Sequence, residues 1–287
     1  MKINKLTLNS PLFPELLRHI PQPPEQLYYS GIPLEELLAR PRVAIVGSRS
    51  VTPYGKQVTM MLARQLAEQG IVIISGLAIG VDALAHQAAL DAGGLTLAVL
   101  PSPLERIAPA TNQYLARRIL DNGGGLITEY GAGEETYKLN FIERNRLVCG
   151  LADVLLITEA AVNSGSLHTA RFALEQGKDV MAVPGNITST VSVGANNLLK
   201  TSAAPATSYV DVMHMLGISA PHSSSPAVKG ANEPEQLLLD LLFSGIADGN
   251  QLLERSGLTA SMFNQSVTML ELSGKIRALG ANHWGLH

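Results

Sequence analysis

Apolar residues fall into two alternating patterns along this chain. Short runs with little or no polar interruption, Val43-Ala44-Ile45-Val46, Ile71-Val72-Ile73-Ile74 and then 96–100, 126–128, 154–157 and 179–183, predict parallel strands covered on both faces. Between them, apolar positions recur at helical spacing. Residues 53–69 carry Val58, Met61, Leu62 and Leu66 on one face, and 81–92 carry Val81, Leu84, Ala85 and Ala88. Further helices are expected over 112–121, 141–150 and 166–176, with Gly123-Gly124-Gly125 and Gly177 as stops. Strand alternating with helix in this way predicts an α/β fold, an extended Rossmann-like, doubly wound, mostly parallel sheet with right-handed crossovers.

The flanks are built differently. Residues 1–41 hold Pro11, Pro14, Pro21, Pro23, Pro24, Pro33 and Pro41, which suit an extended arm with short helices wrapping the main domain. Residues 217–232 are rich in Ser, Pro, Ala and Gly and read as a flexible linker. Beyond it, 235–243, 248–256 and 260–273 read as three short helices followed by a hairpin through Trp284, the pattern of a winged helix. The expected organisation is an arm (1–41), a Rossmann-like domain (42–216), a linker (217–232) and a small C-terminal winged-helix-like domain (233–287).

Composition narrows the function. The chain has 287 residues, 46% hydrophobic and 16% charged, as ordinary globular proteins do. Its net charge is −3, and 233–287 alone carries six acids against three bases. The preceding 232 residues are therefore neutral, so any phosphate binding must come from a local cluster. The one cysteine, Cys149, cannot close an internal disulfide, which fits a reducing cytoplasm. Histidines lack metal-ligand spacing, and neither a secretory signal nor a run of roughly 20 apolar residues is present. The expectation is a cytoplasmic protein with no metal, no cofactor and no membrane partner.

Three segments could carry chemistry. Gly47-Ser48-Arg49 stands where a Rossmann fold binds phosphate, without the G-x-G-x-x-G spacing that a dinucleotide needs. It is either a structural turn or a phosphate site of backbone N–H groups, a hydroxyl and a guanidinium. Lys138, Phe141, Arg144, Asn145 and Arg146 gather cations, an amide and one aromatic ahead of a buried strand. They suit a nucleic-acid backbone and one stacked base, or alternatively a core phenylalanine with arginines paired to Glu143 or Asp153. Ser164-Gly165-Ser166 with Thr169 opens a helix that either is simply capped or favours an anion. Asp82 and His86, at i, i+4, read as a structural hydrogen-bonded pair, and Cys149 as buried and inert.

Taken together, VAIVGSR (43–49), Tyr54-Gly55, ISGLAIGVDALAH (74–86), TEYG (128–131), FIERNRLVCGL (141–151), the block 157–185 and Ser192-Val193-Gly194 resemble the DprA/Smf family of DNA-processing proteins. The resemblance implies a non-enzymatic homodimer that binds single-stranded DNA and delivers the recombinase RecA onto it in natural transformation and homologous recombination. It places the DNA at Ser48, Arg49, Lys138, Phe141, Arg144, Asn145, Arg146, Ser164, Gly165, Ser166 and Thr169, with Lys200 as a further candidate. Two stretches depart from the family pattern: Leu100-Pro101-Ser102-Pro103 with Ala108-Pro109, and Ser202-Ala203. The N-terminal helical domain of many members is also lacking. The alternative is a nucleoside-monophosphate hydrolase resembling the LOG type, but Phe172 stands where its P-G-G-x-G-T-x-x-E signature needs a carboxylate. The winged-helix segment is expected to contact proteins, because 260–273 contains no Lys or Arg for a DNA groove.

Overall fold

The chain enters the sheet at its edge. In the computed structural model, which describes residues 2–219, 230–280 and 282–286, β1 (Asn4–Thr7) pairs antiparallel with β2 (Gln26–Gly31). Helix α1 (Glu15–Arg18) lies between them in sequence, and α2 (Leu34–Leu38) follows. The Pro-rich segment expected as a wrapping arm thus has its short helices but is also part of the sheet, because β2 pairs antiparallel with a central-domain strand.

From Arg42 the alternation is as the apolar pattern predicts. The order is β3 (Arg42–Val46), α3 (Pro53–Glu68), β4 (Val72–Ser75), α4 (Val81–Asp91), β5 (Thr96–Val99), α5 (Gln113–Asp121) and β6 (Gly125–Thr128). Two helices follow, α6 (Asn140–Glu143) and α7 (Asn145–Leu151), divided at Arg144 where one helix was expected. Next come β7 (Val154–Ile157), α8 (Ser166–Glu175), β8 (Asp179–Ala182), α9 (Val193–Thr201), β9 (Ala204–Pro205) and α10 (Tyr209–Met215). The nine strands lie in the order β1-β2-β6-β5-β4-β3-β7-β8-β9, parallel from β6 to β9.

Why the strands read as unbroken apolar runs is visible in β3. Val43 and Ile45 pack with Leu62, Leu66, Val81 and Ala85 of α3 and α4 on one face. Ala44 and Val46 pack with Leu147, Leu151, Ala170 and Ala173 of α7 and α8 on the other. With both faces covered, neither parity can be polar. The chain runs from β3 outward through β4, β5 and β6, then returns to lay β7 on the opposite flank of β3. That reversal opens a crevice at the carboxyl ends of β3 and β7, where open α/β sheets bind ligands.

The chain divides into two compact units, Met1–Ala220 and Pro221–His287. Residues 220–229 of the expected linker lie outside the described residues. The second unit holds α11 (Glu233–Phe243), α12 (Gly249–Ser256), α13 (Ala260–Leu272) and an antiparallel pair, β10 (Ile276–Gly280) with β11 (His283–Leu286). Asn232, Asp248 and Thr259 each cap a helix through a side-chain oxygen, and Leu238, Leu252, Phe263, Leu270 and Ile276 form the core. Three helices and a hairpin make this a winged helix.

Candidate nucleic-acid interface

The crevice holds a cavity of about 620 Å³. Three segments meet around it: the 47–50 turn after β3, the loop and helix start from Asn163 to Thr169 after β7, and a wall from Lys138 to Asn145. Ser48, Arg49, Lys138, Phe141, Arg144, Asn145, Ser164, Gly165, Ser166 and Thr169 all line it, so ten of the twelve residues singled out from sequence converge. A larger hollow of about 1000 Å³ lies between β1–β2 and α5. It holds none of the twelve, and its charges cancel: Lys2 and Arg117 against Glu105 and Asp121.

The 47–50 turn is set by close backbone approaches. Gly80, after β4, has φ of 87°, and a Cβ there would stand 2.3 Å from the Ser48 carbonyl oxygen and 2.8 Å from Arg49 Cα. The two Gly-rich turns therefore touch, which only glycine at position 80 permits. Ser48 donates its N–H to the Glu159 carbonyl at 2.9 Å, and Ser50 donates its N–H to Ser48 Oγ at 3.1 Å. With these two N–H groups spent internally, the turn offers an anion chiefly the Arg49 side chain. That revises the sequence expectation of a phosphate cradle made from backbone donors.

Arg49 is exposed, and its guanidinium stands over the Phe141 ring, 5.3 Å from the centroid, within cation–π range. Lys138 is exposed on the same wall. Ser164 and Ser166 share a hydroxyl–hydroxyl bond of 2.7 Å at the start of α8, while Thr169 is buried beneath them. The rim thus has two exposed cations, hydroxyls and an aromatic face.

Below the rim, Arg144 is buried. Its Nη1 donates to the carbonyl oxygens of Gly76 and Val99, and its Nε donates to Asn145 Oδ1 at 3.1 Å. A Cβ at position 76 would collide with the guanidinium, so a glycine is needed there. Burial lowers the Arg144 pKa to about 10, with the Asp82 charge opposing that shift, and the group stays cationic at neutral pH. Asp82 in turn accepts the N–H groups of Gly76 at 3.1 Å and Ala78 at 3.4 Å. Burial pushes the Asp82 carboxyl above its ordinary value against the pull of Arg144. Arg144 therefore fixes the floor and adds positive potential, while its hydrogen-bonding edge is turned to the protein.

Two of the twelve residues fall outside the cavity. Arg146 is buried against Glu129 in a two-pronged pair, Nη1 to Oε1 and Nη2 to Oε2, both 2.7 Å, with Nε donating to the Gln22 carbonyl at 3.0 Å. It ties β6 to the N-terminal segment. Lys200 sits exposed in the last turn of α9, away from the cavity lining. The expected Asp82–His86 bond is replaced too. His86 instead meets Thr96 through Nδ1 at 2.6 Å, and Thr96 Oγ1 donates to the Ile73 carbonyl. Asp82 faces the turn N–H groups and His86 faces β5, so the two side chains do separate work. Cys149 is buried as expected, and burial raises its pKa. One residue not anticipated is Glu159, 3% exposed at the end of β7, which bonds to the 48–52 segment. An acid two residues past an apolar strand was the available signal.

Comparison with known proteins follows the same division into units. The family model described as DNA recombination-mediator protein A matches residues 4–217, and the one described as the DprA winged helix domain matches 221–282. Protein Smf of Escherichia coli K12 is 36% identical over 246 residues, covering 83% of this chain and 66% of that protein. DNA processing protein DprA of Streptococcus pneumoniae R6 is 39% identical over 201 residues, 70% of each chain. The chain thus spans about two thirds of the length of these curated relatives. Among solved structures, DprA from Streptococcus pneumoniae aligns with TM-score 0.69 and 37% identity, covering 75% of this chain and 74% of that one. DNA processing protein A from Helicobacter pylori, a structure concerned with that protein's single-stranded DNA binding mode, aligns with TM-score 0.67 and 35% identity over 75% and 96%.

Proposed function

This chain belongs to the DprA/Smf family of DNA-processing proteins, and we propose that it binds single-stranded DNA without catalysis and loads the recombinase RecA onto that strand as a homodimer. The observation that carries the reading is the Arg49–Phe141 pair at the mouth of the β3–β7 crevice, with Lys138 beside it. Phosphates take the guanidinium of Arg49 and the ammonium of Lys138, and one base takes the face of Phe141. The Ser48, Ser164 and Ser166 hydroxyls complete the contacts to the backbone. Arg49 covers Phe141 in the free protein, so a stacking base displaces the guanidinium and turns it toward the incoming phosphate. Arg144 and Asp82 hold the floor in place. Every base has a π face, so the site is tolerant of sequence.

The hydrolase alternative would need a carboxylate free to act in the cavity. Asp82 is the one acid lining it among the described residues, and its Oδ2 already accepts the N–H groups of both Gly76 and Ala78. Incubation with nucleoside monophosphates should release no free base. The test of the main reading is fluorescence anisotropy with a labelled single-stranded oligonucleotide and its duplex. Tight binding to the single strand and weak binding to the duplex supports it, and equal or no binding refutes it. RecA delivery is read from RecA-dependent strand exchange on DNA pre-coated with a single-strand-binding protein, and the homodimer from sedimentation equilibrium.

A further inference from the structure

We infer that Glu159 is a positioning residue for DNA binding, holding Arg49 where it meets phosphate although Glu159 itself is an acid beside a phosphate site. The inference rests on the proposed single-stranded DNA site. Glu159 follows β7, and it bonds across to the turn between β3 and α3 three times. Its carbonyl accepts the Ser48 N–H at 2.9 Å, and its carboxylate accepts both the N–H of Thr52, at 3.2 Å, and the Thr52 hydroxyl. Thr52 is the N-cap of α3, whose hydroxyl oxygen accepts the Gly55 N–H at 3.1 Å. Arg49 therefore stands on a five-residue span, Ser48 to Thr52, clamped at both ends by the Glu159 side chain and carbonyl.

Two glycines show that the chain makes room for this acid. A Cβ at Gly55 would stand 2.6 Å from Glu159 Oε2, and one at Gly47 would stand 2.8 Å from the Glu159 carbonyl oxygen. At 3% exposure, the carboxylate is turned into the protein and its oxygens are occupied by Thr52. A glutamine replaces it only in part: of the two oxygens that face Thr52, one becomes an NH2 donor set against the Thr52 N–H and hydroxyl.

The sign of the effect separates positioning from simple electrostatics. If Glu159 acted only through its charge, Glu159→Gln would remove a repulsion and tighten binding to the single strand. If it positions Arg49, the same change weakens binding by about tenfold, the scale of one lost charge-assisted hydrogen bond. The experiment measures single-stranded DNA affinity of the full chain as wild type, Glu159→Gln, Arg49→Ala and the double variant, each over a range of salt. The expected result is weaker binding by Glu159→Gln, a shallower salt slope, and little further loss when it is added to Arg49→Ala, since the residue it positions is gone. Thr52→Val, which removes the hydroxyl partner and no charge, should weaken binding in the same direction. It keeps the test open if Glu159→Gln fails to fold.

Tighter or unchanged binding by Glu159→Gln with weaker binding by Arg49→Ala overturns the inference and leaves the site standing. Independent, additive losses also overturn it. Absence of single-stranded DNA binding by the wild type removes the site reading itself, and the inference with it.

Discussion

Arg146→Ala removes a guanidinium that joins three parts of the chain. It donates to both Glu129 oxygens at 2.7 Å, to the Gln22 carbonyl at 3.0 Å and to the Glu143 carbonyl at 3.3 Å. The side chains of Arg146 and Glu129 are 10% and 17% exposed, so the substitution strands a carboxylate in a poorly hydrated place. Removing one partner of a buried pair costs about 3–5 kcal/mol, far above the 0–1 kcal/mol of an exposed pair. For a unit of this size that corresponds to a fall in Tm of roughly 6–20 °C. Calorimetry or far-UV circular dichroism is the right assay. Tryptophan fluorescence is not, because the one tryptophan, Trp284, lies in the winged-helix unit. Below its melting point the variant should keep the wild-type salt slope for single-stranded DNA, and Arg146→Met with Glu129→Met should recover much of the lost stability. A Tm within about 2 °C of wild type, together with a shallower salt slope, would show that Arg146 leaves Glu129 to bind phosphate and that its structural assignment is wrong.

Phe141→Ala should weaken single-stranded DNA binding by about 1–3 kcal/mol in an equilibrium titration, with the salt slope unchanged because no phosphate contact is lost. Phe141→Trp should retain affinity, and equal losses in both variants would argue against a stacked base. His86 gives a pH signature. Burial first, and the Arg144 charge second, lower its pKa from 6.5 to about 3, so the folded chain refuses a proton that the unfolded chain accepts. The contribution is intact above pH 6.5 and is lost as pH falls toward 3. Relative to His86→Leu, the wild type should lose about 1.4 kcal/mol per pH unit between roughly pH 6 and pH 4 in urea titrations. A difference that stays constant with pH would mean His86 is protonated in the folded state.

The parallel strands and the helices between them were legible because both faces of β3, β4, β7 and β8 are covered, so burial leaves no polar gap in the sequence. The antiparallel edge was not. β1 and β2 mix buried and exposed positions over four and six residues, and the surrounding prolines mask so short a pattern. Also missed were α9, β9 and α10, since two residues of strand and two helices of nine and seven residues carry little periodicity. Residue type picked out Arg49, Phe141 and Lys138, and position after a strand picked out Arg49 and the Ser164–Ser166 turn, all of which line the cavity. Spacing misled where pairing is long-range. Arg146 lies beside Arg144 in sequence, but its partners Glu129 and Gln22 are 17 and 124 residues away. Asp82 and His86 share a face of α4, but each bonds to a different strand end. The clamp from Glu159 to Thr52 spans 107 residues, which no local pattern encodes.

The central claim is that the crevice between β3 and β7 grips a single-stranded phosphate backbone through Arg49. It is tested most directly by the salt dependence of affinity for a labelled oligonucleotide, measured on wild type and Arg49→Ala with thermal stability checked alongside. The variant should bind more weakly, with a slope of log K against log salt shallower by about 0.7 and an unchanged melting temperature. Wild-type affinity and slope in Arg49→Ala would contradict it.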